Sequence, residues 1–138
     1  MHLIHASAVA FGARGLLITG ASGSGKSSLA LELMSHGAIL ISDDQTELFM
    51  RADALWARAP GAISGAIEAR GLGILQAEAR PAPIVAVVDL DHDETERMPP
   101  KRSFDVLDCD LPLFRRVDHR AWPAALVQYL RFGRSDIA

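Results

Sequence analysis

The 138-residue sequence predicts an α/β fold, a mixed β-sheet with flanking helices, and three observations carry that expectation. Short apolar runs at residues 16–19, 38–42 and 83–90 are rich in Ile, Leu and Val and read as buried strands. A glycine-rich stretch joins the first run to a segment in which Leu29, Leu33 and Met34 recur at helical spacing. The second run stops at two adjacent carboxylates, Asp43 and Asp44, as a buried strand does when it delivers side chains to a site at its C-terminal end.

Taken in order, residues 3–11 and 16–19 predict two strands, with Gly12-Ala13-Arg14-Gly15 as the hairpin turn between them. A helix is expected over 28–36, ended by Gly37. After the strand at 38–42, residues 46–50 and 55–58 predict strands on either side of Ala52-Asp53-Ala54, and Pro60-Gly61 marks a turn. The segment 63–74 holds Gly71 and Gly73, too close together for a regular helix. Beyond the strand at 83–90, the polar stretch 91–102 predicts a mobile surface loop. Residues 104–107 and 113–117 predict short strands, and 121–130 a closing helix with Pro123 in its first turn.

Length and composition limit the function. A chain of 138 residues fits one domain, expected to span 1–138. With 49% hydrophobic and 22% charged residues it has the makings of a packed core rather than of a disordered chain. The formal net charge of −3, from 17 acidic and 14 basic residues, excludes a broad basic surface for coating nucleic acid, so any nucleotide is held locally. The single cysteine, Cys109, rules out an internal disulfide and agrees with a reducing compartment. The first residues show no basic leader followed by a long apolar run. The apolar stretch at 84–88 falls far short of the roughly 20 residues of a membrane helix. A cytoplasmic protein without a membrane partner is the expectation.

Gly20-Ala21-Ser22-Gly23-Ser24-Gly25-Lys26-Ser27 satisfies the pattern G-x-x-x-x-G-K-[ST], between a predicted strand and a predicted helix that begins at Ser28. This is a P-loop. Its glycines let backbone N–H groups wrap a phosphate, and the helix N-terminus adds partial positive charge. Lys26 is placed to reach the β- and γ-phosphates and Ser27 to ligate Mg²⁺. Asp43 and Asp44 stand where a P-loop enzyme puts the acidic group of its metal site. Two carboxylates allow two roles, one on the metal and one accepting the proton of an attacking hydroxyl. No Asn-Lys-x-Asp string occurs, so the guanine-reading element of a GTPase is missing and ATP is the expected nucleotide.

These residues resemble the catalytic domain of the HPr kinase/phosphorylase family. The likeness rests on His5 before the hairpin, the P-loop itself, Ala30-Leu31-Glu32-Leu33 in the helix and Ser42-Asp43-Asp44 at the strand end. The string Ile67-Glu68-Ala69-Arg70-Gly71-Leu72-Gly73-Ile74 discriminates best, since many unrelated proteins share a P-loop and few carry that string beside it. The resemblance implies a P-loop kinase that moves the γ-phosphate of Mg²⁺-ATP to a serine of HPr or a related phosphocarrier of the phosphotransferase system. It further implies a reverse phosphorylase activity and a hexamer. By resemblance Asp44 is the base, His5 sits next to the paired aspartates, Lys26 and Ser27 bind phosphate and metal, and Asp43 and Glu68 support the metal site. Arg97 resembles the arginine of a segment that closes over the nucleotide, or is a solvated loop charge. Arg70 either braces the backbone or touches substrate. Residues 118–121 do not match the family's Pro-Gly-Arg-Asn stretch, and longer members carry a large N-terminal domain and a C-terminal tail beyond what is matched. Two other readings remain at this point: a P-loop sensor that binds nucleotide or phosphate without transfer, and a kinase of a small hydroxylated metabolite.

Overall fold

The architecture turns on two places where the chain bends out of one strand into the next. In the computed structural model, which describes residues 2–135, the stretch predicted as one strand is split at His5 into β1 (His2–Ile4) and β2 (Ala6–Phe11). β3 (Arg14–Thr19) returns antiparallel to β2, from Ala6 opposite Thr19 to Phe11 opposite Arg14, through the expected hairpin. Then follow α1 (Lys26–Ser35), β4 (Ile39–Ser42), β5 (Thr46–Arg51), β6 (Ala54–Arg58) and a 3₁₀ turn at Gly61–Ile63. β7 (Ala66–Ala69) and β8 (Gly73–Gln76) form a separate two-stranded ribbon, which is how the two close glycines are accommodated. The chain continues through β9 (Ala82–Asp93), β10 (Ser103–Val106), β11 (Cys109–Arg116) and α2 (Trp122–Phe132).

The main sheet runs in the order β1-β5-β6-β9-β3-β2-β4. β9 pairs parallel with β3 on one edge, and on the other with β6 near its start and β11 further along. The ladder of β1 with β5 (Ile4 opposite Thr46) and that of β2 with β4 (Ala8 opposite Ser42) share one register. Two neighbouring segments therefore cross side by side from one end of the sheet path to the other, His5 on one and Asp43-Asp44-Gln45 on the other. The sheet is curled on itself along this seam. The hydroxyl of buried Thr46 donates to the Ala6 carbonyl across it, 2.8 Å.

The curl divides the core in two. One cluster lies between the sheet and the helices, where Leu16, Ile18, Leu40 and Val88 meet Leu29 and Leu33 of α1 and Leu126 and Leu130 of α2. The other fills the inside of the curl with Ala8, Leu17, Ile41, Leu48, Leu55 and Val87. Alternation along β3 sends Leu16 and Ile18 to one side and Leu17 to the other, so the strand that leads into the P-loop is buried on both faces. Among the described residues no helix is long and apolar enough to cross a membrane.

Two expectations are corrected. β9 runs three residues past Leu90, through Asp91, His92 and Asp93, because β11 pairs with it as far as Arg116 opposite Asp93. The remaining segment, 94–102, is held at its two ends by a forked ion pair. Arg102 donates from Nε and a terminal nitrogen to the two carboxylate oxygens of Glu94 at 3.3 and 3.2 Å. The Arg102 guanidinium holds the Glu94 carboxyl below the usual range, so this tie is present above pH 4.5 and is lost on acidification.

The predicted strand at 104–107 is half of a β10–β11 hairpin, in which Asp105 lies directly opposite Asp110. The hydrogen bond to Asp110 and its charge raise the Asp105 carboxyl above the usual 3.8. A raised carboxyl contributes stability below its unfolded-state value, and that contribution is lost as pH rises through the folded value. At neutral pH the pair therefore opposes the hairpin. Asp110→Asn is expected to raise the melting temperature at neutral pH and to leave it unchanged below pH 3.8; a variant that melts lower than the parent at neutral pH would overturn this account.

Candidate active site

Antiparallel β2 lies between β3 and β4, so β3 and β4 run in the same sense, and β9 is parallel to β3. The C-terminal ends of all three strands therefore meet at one edge, and each delivers part of the site there: the P-loop from β3, the paired aspartates from β4, and Asp89 to Asp93 from β9. This is the edge at which α/β sheets bind ligands.

The loop takes its shape from glycines at positive φ: Gly20 at 152°, Gly23 at 81° and Gly25, the helix N-cap, at 103°. At Gly20 the need is also steric, since a Cβ there would come within 2.5 Å of the Ser24 hydroxyl oxygen. The Ser24 amide donates to the Ala21 carbonyl at 3.0 Å, and the buried Ser24 hydroxyl has no protein partner. Lys26 is 5% exposed and spans the loop, donating to the carbonyls of Gly20 at 3.0 Å and Ala21 at 3.1 Å. The amides of Lys26, Ser27 and Ser28 open α1, where no intrahelical acceptor exists for them. An orphaned hydroxyl, a bridging ammonium and helix-start amides fit a polyphosphate.

Asp43 is 8% exposed and accepts three hydrogen bonds. Ser7 Oγ and Ser27 Oγ donate to its Oδ1 at 2.7 and 2.6 Å, and the Glu68 amide donates to its Oδ2 at 3.0 Å. Of the predicted metal set, Ser27 and Asp43 are thus in contact, while Glu68 touches Asp43 through its backbone and lines the same cleft. Among the described residues no three His, Cys, Asp or Glu side chains form a ready cage.

Asp44 follows in a left-handed conformation, φ 68°. Its exposed carboxylate meets His5 Nε2 at 2.7 Å. The seam makes this contact between residues 39 positions apart.

The cleft, about 620 Å³, is lined by the P-loop, by Asp43, Asp44 and Gln45, by Ile63, and by Glu68, Arg70 and Ile74 from the β7–β8 ribbon. That volume suits a nucleotide-sized ligand. Of the residues singled out in the sequence, the structure brings together His5, Gly23, Ser27, Asp43, Asp44, Glu68 and Lys26. It leaves Arg97 exposed in the 94–102 segment and outside the lining. Two contributors escape sequence reading. Ser7 looks like any small residue in an apolar strand. Asp91 accepts from the Ala21 amide at 3.0 Å, tying the start of the P-loop to β9, yet its polar surroundings read as loop. Behind it, Asp89 accepts from the Asp91 amide at 2.8 Å and from His92 Nδ1 at 2.6 Å.

Known proteins share the fold or part of the sequence. The solved structure of the Hpr(Ser) kinase/phosphatase from Coxiella burnetii matches with a TM-score of 0.79 over 95% of this chain and 89% of that one, at 24% identity, and so shares the fold. The HPr kinase/phosphorylase of Neisseria meningitidis serogroup C is 53% identical over 62 residues, 44% of this chain and 19% of that protein. That of Polaromonas naphthalenivorans is 44% identical over 66 residues, 47% of this chain and 21% of that protein. The one from Xanthomonas campestris pv. campestris is 50% identical over 62 residues, 44% of this chain and 20% of that protein. The aligned segment spans about a fifth of the length of these curated relatives. The family model described as "HPr Serine kinase C-terminal domain" matches residues 1–80, which hold His5, the P-loop, both aspartates and the 67–74 string, and the chain belongs to that family.

Proposed function

We propose that this protein is a cytoplasmic, P-loop serine kinase that binds Mg²⁺-ATP at residues 20–28 and phosphorylates a serine of an HPr-type phosphocarrier. The observation that carries the reading is the His5–Asp44 pair at the mouth of the P-loop cleft. A nucleotide sensor needs the cradle but has no use for a paired, exposed carboxylate beside it. The exposure of Asp44 also favours an acceptor carried on another protein.

Each residue then has a part. The amides of residues 22–28 and the ammonium of Lys26 bind and align the phosphates. Ser27 and Asp43 would hold Mg²⁺, with Glu68 beside them, and the ion would neutralise charge on the phosphates. Asp44 accepts the proton of the serine hydroxyl as its oxygen bonds to the γ-phosphorus and the bond from that phosphorus to the β-phosphate oxygen breaks, leaving ADP. His5 orients Asp44. Arg70 is the guanidinium already in the cleft; Arg97 takes part only if the 94–102 segment moves toward the nucleotide.

The test is to mix the purified protein with γ-labelled ATP, Mg²⁺ and an HPr-type phosphocarrier, with a Lys26→Ala sample as the blank. The expected result is acid-stable phosphoserine on the carrier in the parent sample alone. Nucleotide binding with no label on the carrier would instead support the sensor.

A further inference from the structure

The seam that brings His5 to Asp44 creates a problem for the backbone. Strand pairing stops at Ala8 opposite Ser42 on one side and resumes at Ile4 opposite Thr46 on the other. Between them Asp43 and Asp44 are in a bend, and the left-handed φ of 68° at Asp44 takes its amide out of any ladder. Out of the ladder and part-buried, this N–H needs an acceptor other than a strand carbonyl. The acceptor is the Ser7 hydroxyl, 3.1 Å away on a residue that is 0% exposed.

That contact fixes the direction of a second one. A hydroxyl has one proton and two lone pairs, and an N–H can only donate. Ser7 Oγ therefore accepts from the Asp44 amide and spends its own proton on Asp43 Oδ1, at 2.7 Å. The same Oδ1 receives the Ser27 hydroxyl at 2.6 Å. One buried atom thus ties the backbone of Asp44 to the carboxylate of Asp43 and, through it, to the P-loop serine. An alanine at this strand position would fill the apolar side of the space and could do neither. Among the ordinary buried strand residues only serine or threonine supplies a strong donor and acceptor in one atom.

We propose that Ser7 is a positioning residue for phosphoryl transfer, holding Asp44 in its left-handed conformation and in register with Asp43 and Ser27. This rests on the kinase reading above. It touches neither nucleotide nor acceptor and acts through the two aspartates.

The experiment measures transfer to the phosphocarrier, nucleotide affinity without metal, and the Mg²⁺ concentration giving half-maximal rate, for the parent, Ser7→Ala, Ser7→Thr, Asp44→Asn and the double variant Ser7→Ala with Asp44→Asn. Ser7→Ala is expected to lower kcat about 10–100-fold, the range for losing a residue that orients a site, and to raise the Mg²⁺ requirement. Nucleotide affinity without metal should stay within about twofold of the parent, and Ser7→Thr, which keeps the hydroxyl, should recover most of the rate. In the double variant Ser7→Ala should cost clearly less than it does alone, because its hold on Asp44 no longer matters and only its contact with Asp43 is left to lose. Full additivity of the two changes, or a Ser7→Ala rate equal to the parent, would overturn the proposal. If Ser7→Ala does not fold, a Ser7→Thr protein that folds but transfers no faster than Asp44→Asn also overturns it. A parent protein that itself transfers no phosphate would count against the kinase reading, and the Ser7 claim would fail with it.

Discussion

Asp44→Asn is expected to bind ATP as the parent does and to lose between about 10² and 10⁴ of its transfer rate, the span that a positioned general base contributes. The substitution keeps size and shape, and the amide oxygen still accepts from His5 Nε2, so the seam and the P-loop are undisturbed. What disappears is the ability to take up a proton. His5→Ala probes the same pair from the other side. Asp44 keeps its carboxylate but loses the 2.7 Å contact that orients it, so the loss should be smaller, about 10–100-fold. Single-turnover transfer measured beside equilibrium nucleotide binding separates the two effects. Full turnover by Asp44→Asn would remove Asp44 from the base role.

The parts of this site differ in how openly the sequence displays them. The P-loop is contiguous, and its strand-to-helix context lies within a few residues of it, so pattern and local physics suffice. His5 and Asp44 are individually unremarkable, and their meeting depends on the curl of the whole sheet. Only the resemblance carried by the 67–74 string connected them in advance. Ser7 is hidden for a further reason: its value lies in an unpaired amide that exists only because Asp44 adopts φ 68°.

The same limit applies to the hairpins. Ala52-Asp53, at φ 50° and 63°, and Leu107-Asp108, at 49° and 62°, make two-residue turns with both central residues left-handed, and neither turn contains the glycine that usually announces one. The first was legible as a break between strands because small residues interrupt an apolar pattern. The second was not, since a leucine at its first position reads as the end of a strand. Strand β9 was cut short for the opposite reason. Asp91, His92 and Asp93 have the composition of a loop, and tertiary pairing with β11 overrides that local preference.

Asp43 is the residue whose replacements should diverge most. Its carboxylate receives two hydroxyl protons on Oδ1 and one backbone N–H on Oδ2. In Asp43→Asn the amide oxygen has to face the Glu68 amide, which can only donate, and the NH₂ then faces the hydroxyls of Ser7 and Ser27, which can accept instead. The fold is therefore expected to survive at a cost of about 1 kcal/mol, one hydrogen bond's worth. The negative charge is gone, however, and with it the only buried carboxylate beside Ser27 among the described residues. Mg²⁺-supported transfer should fall about 10²–10³-fold, since several kcal/mol of charge stabilisation is at stake and each 1.36 kcal/mol is tenfold. Asp43→Ala loses the charge and orphans all three donors. At about 1–3 kcal/mol for each donor, reduced where water enters from the cleft, it should destabilise the protein by about 2–4 kcal/mol. Melting curves and the Mg²⁺ dependence of transfer, taken on both variants, decide the matter. Equal loss of stability in the two would show that the hydroxyls do not reorient, and an unchanged Mg²⁺ requirement in Asp43→Asn would remove Asp43 from the metal site.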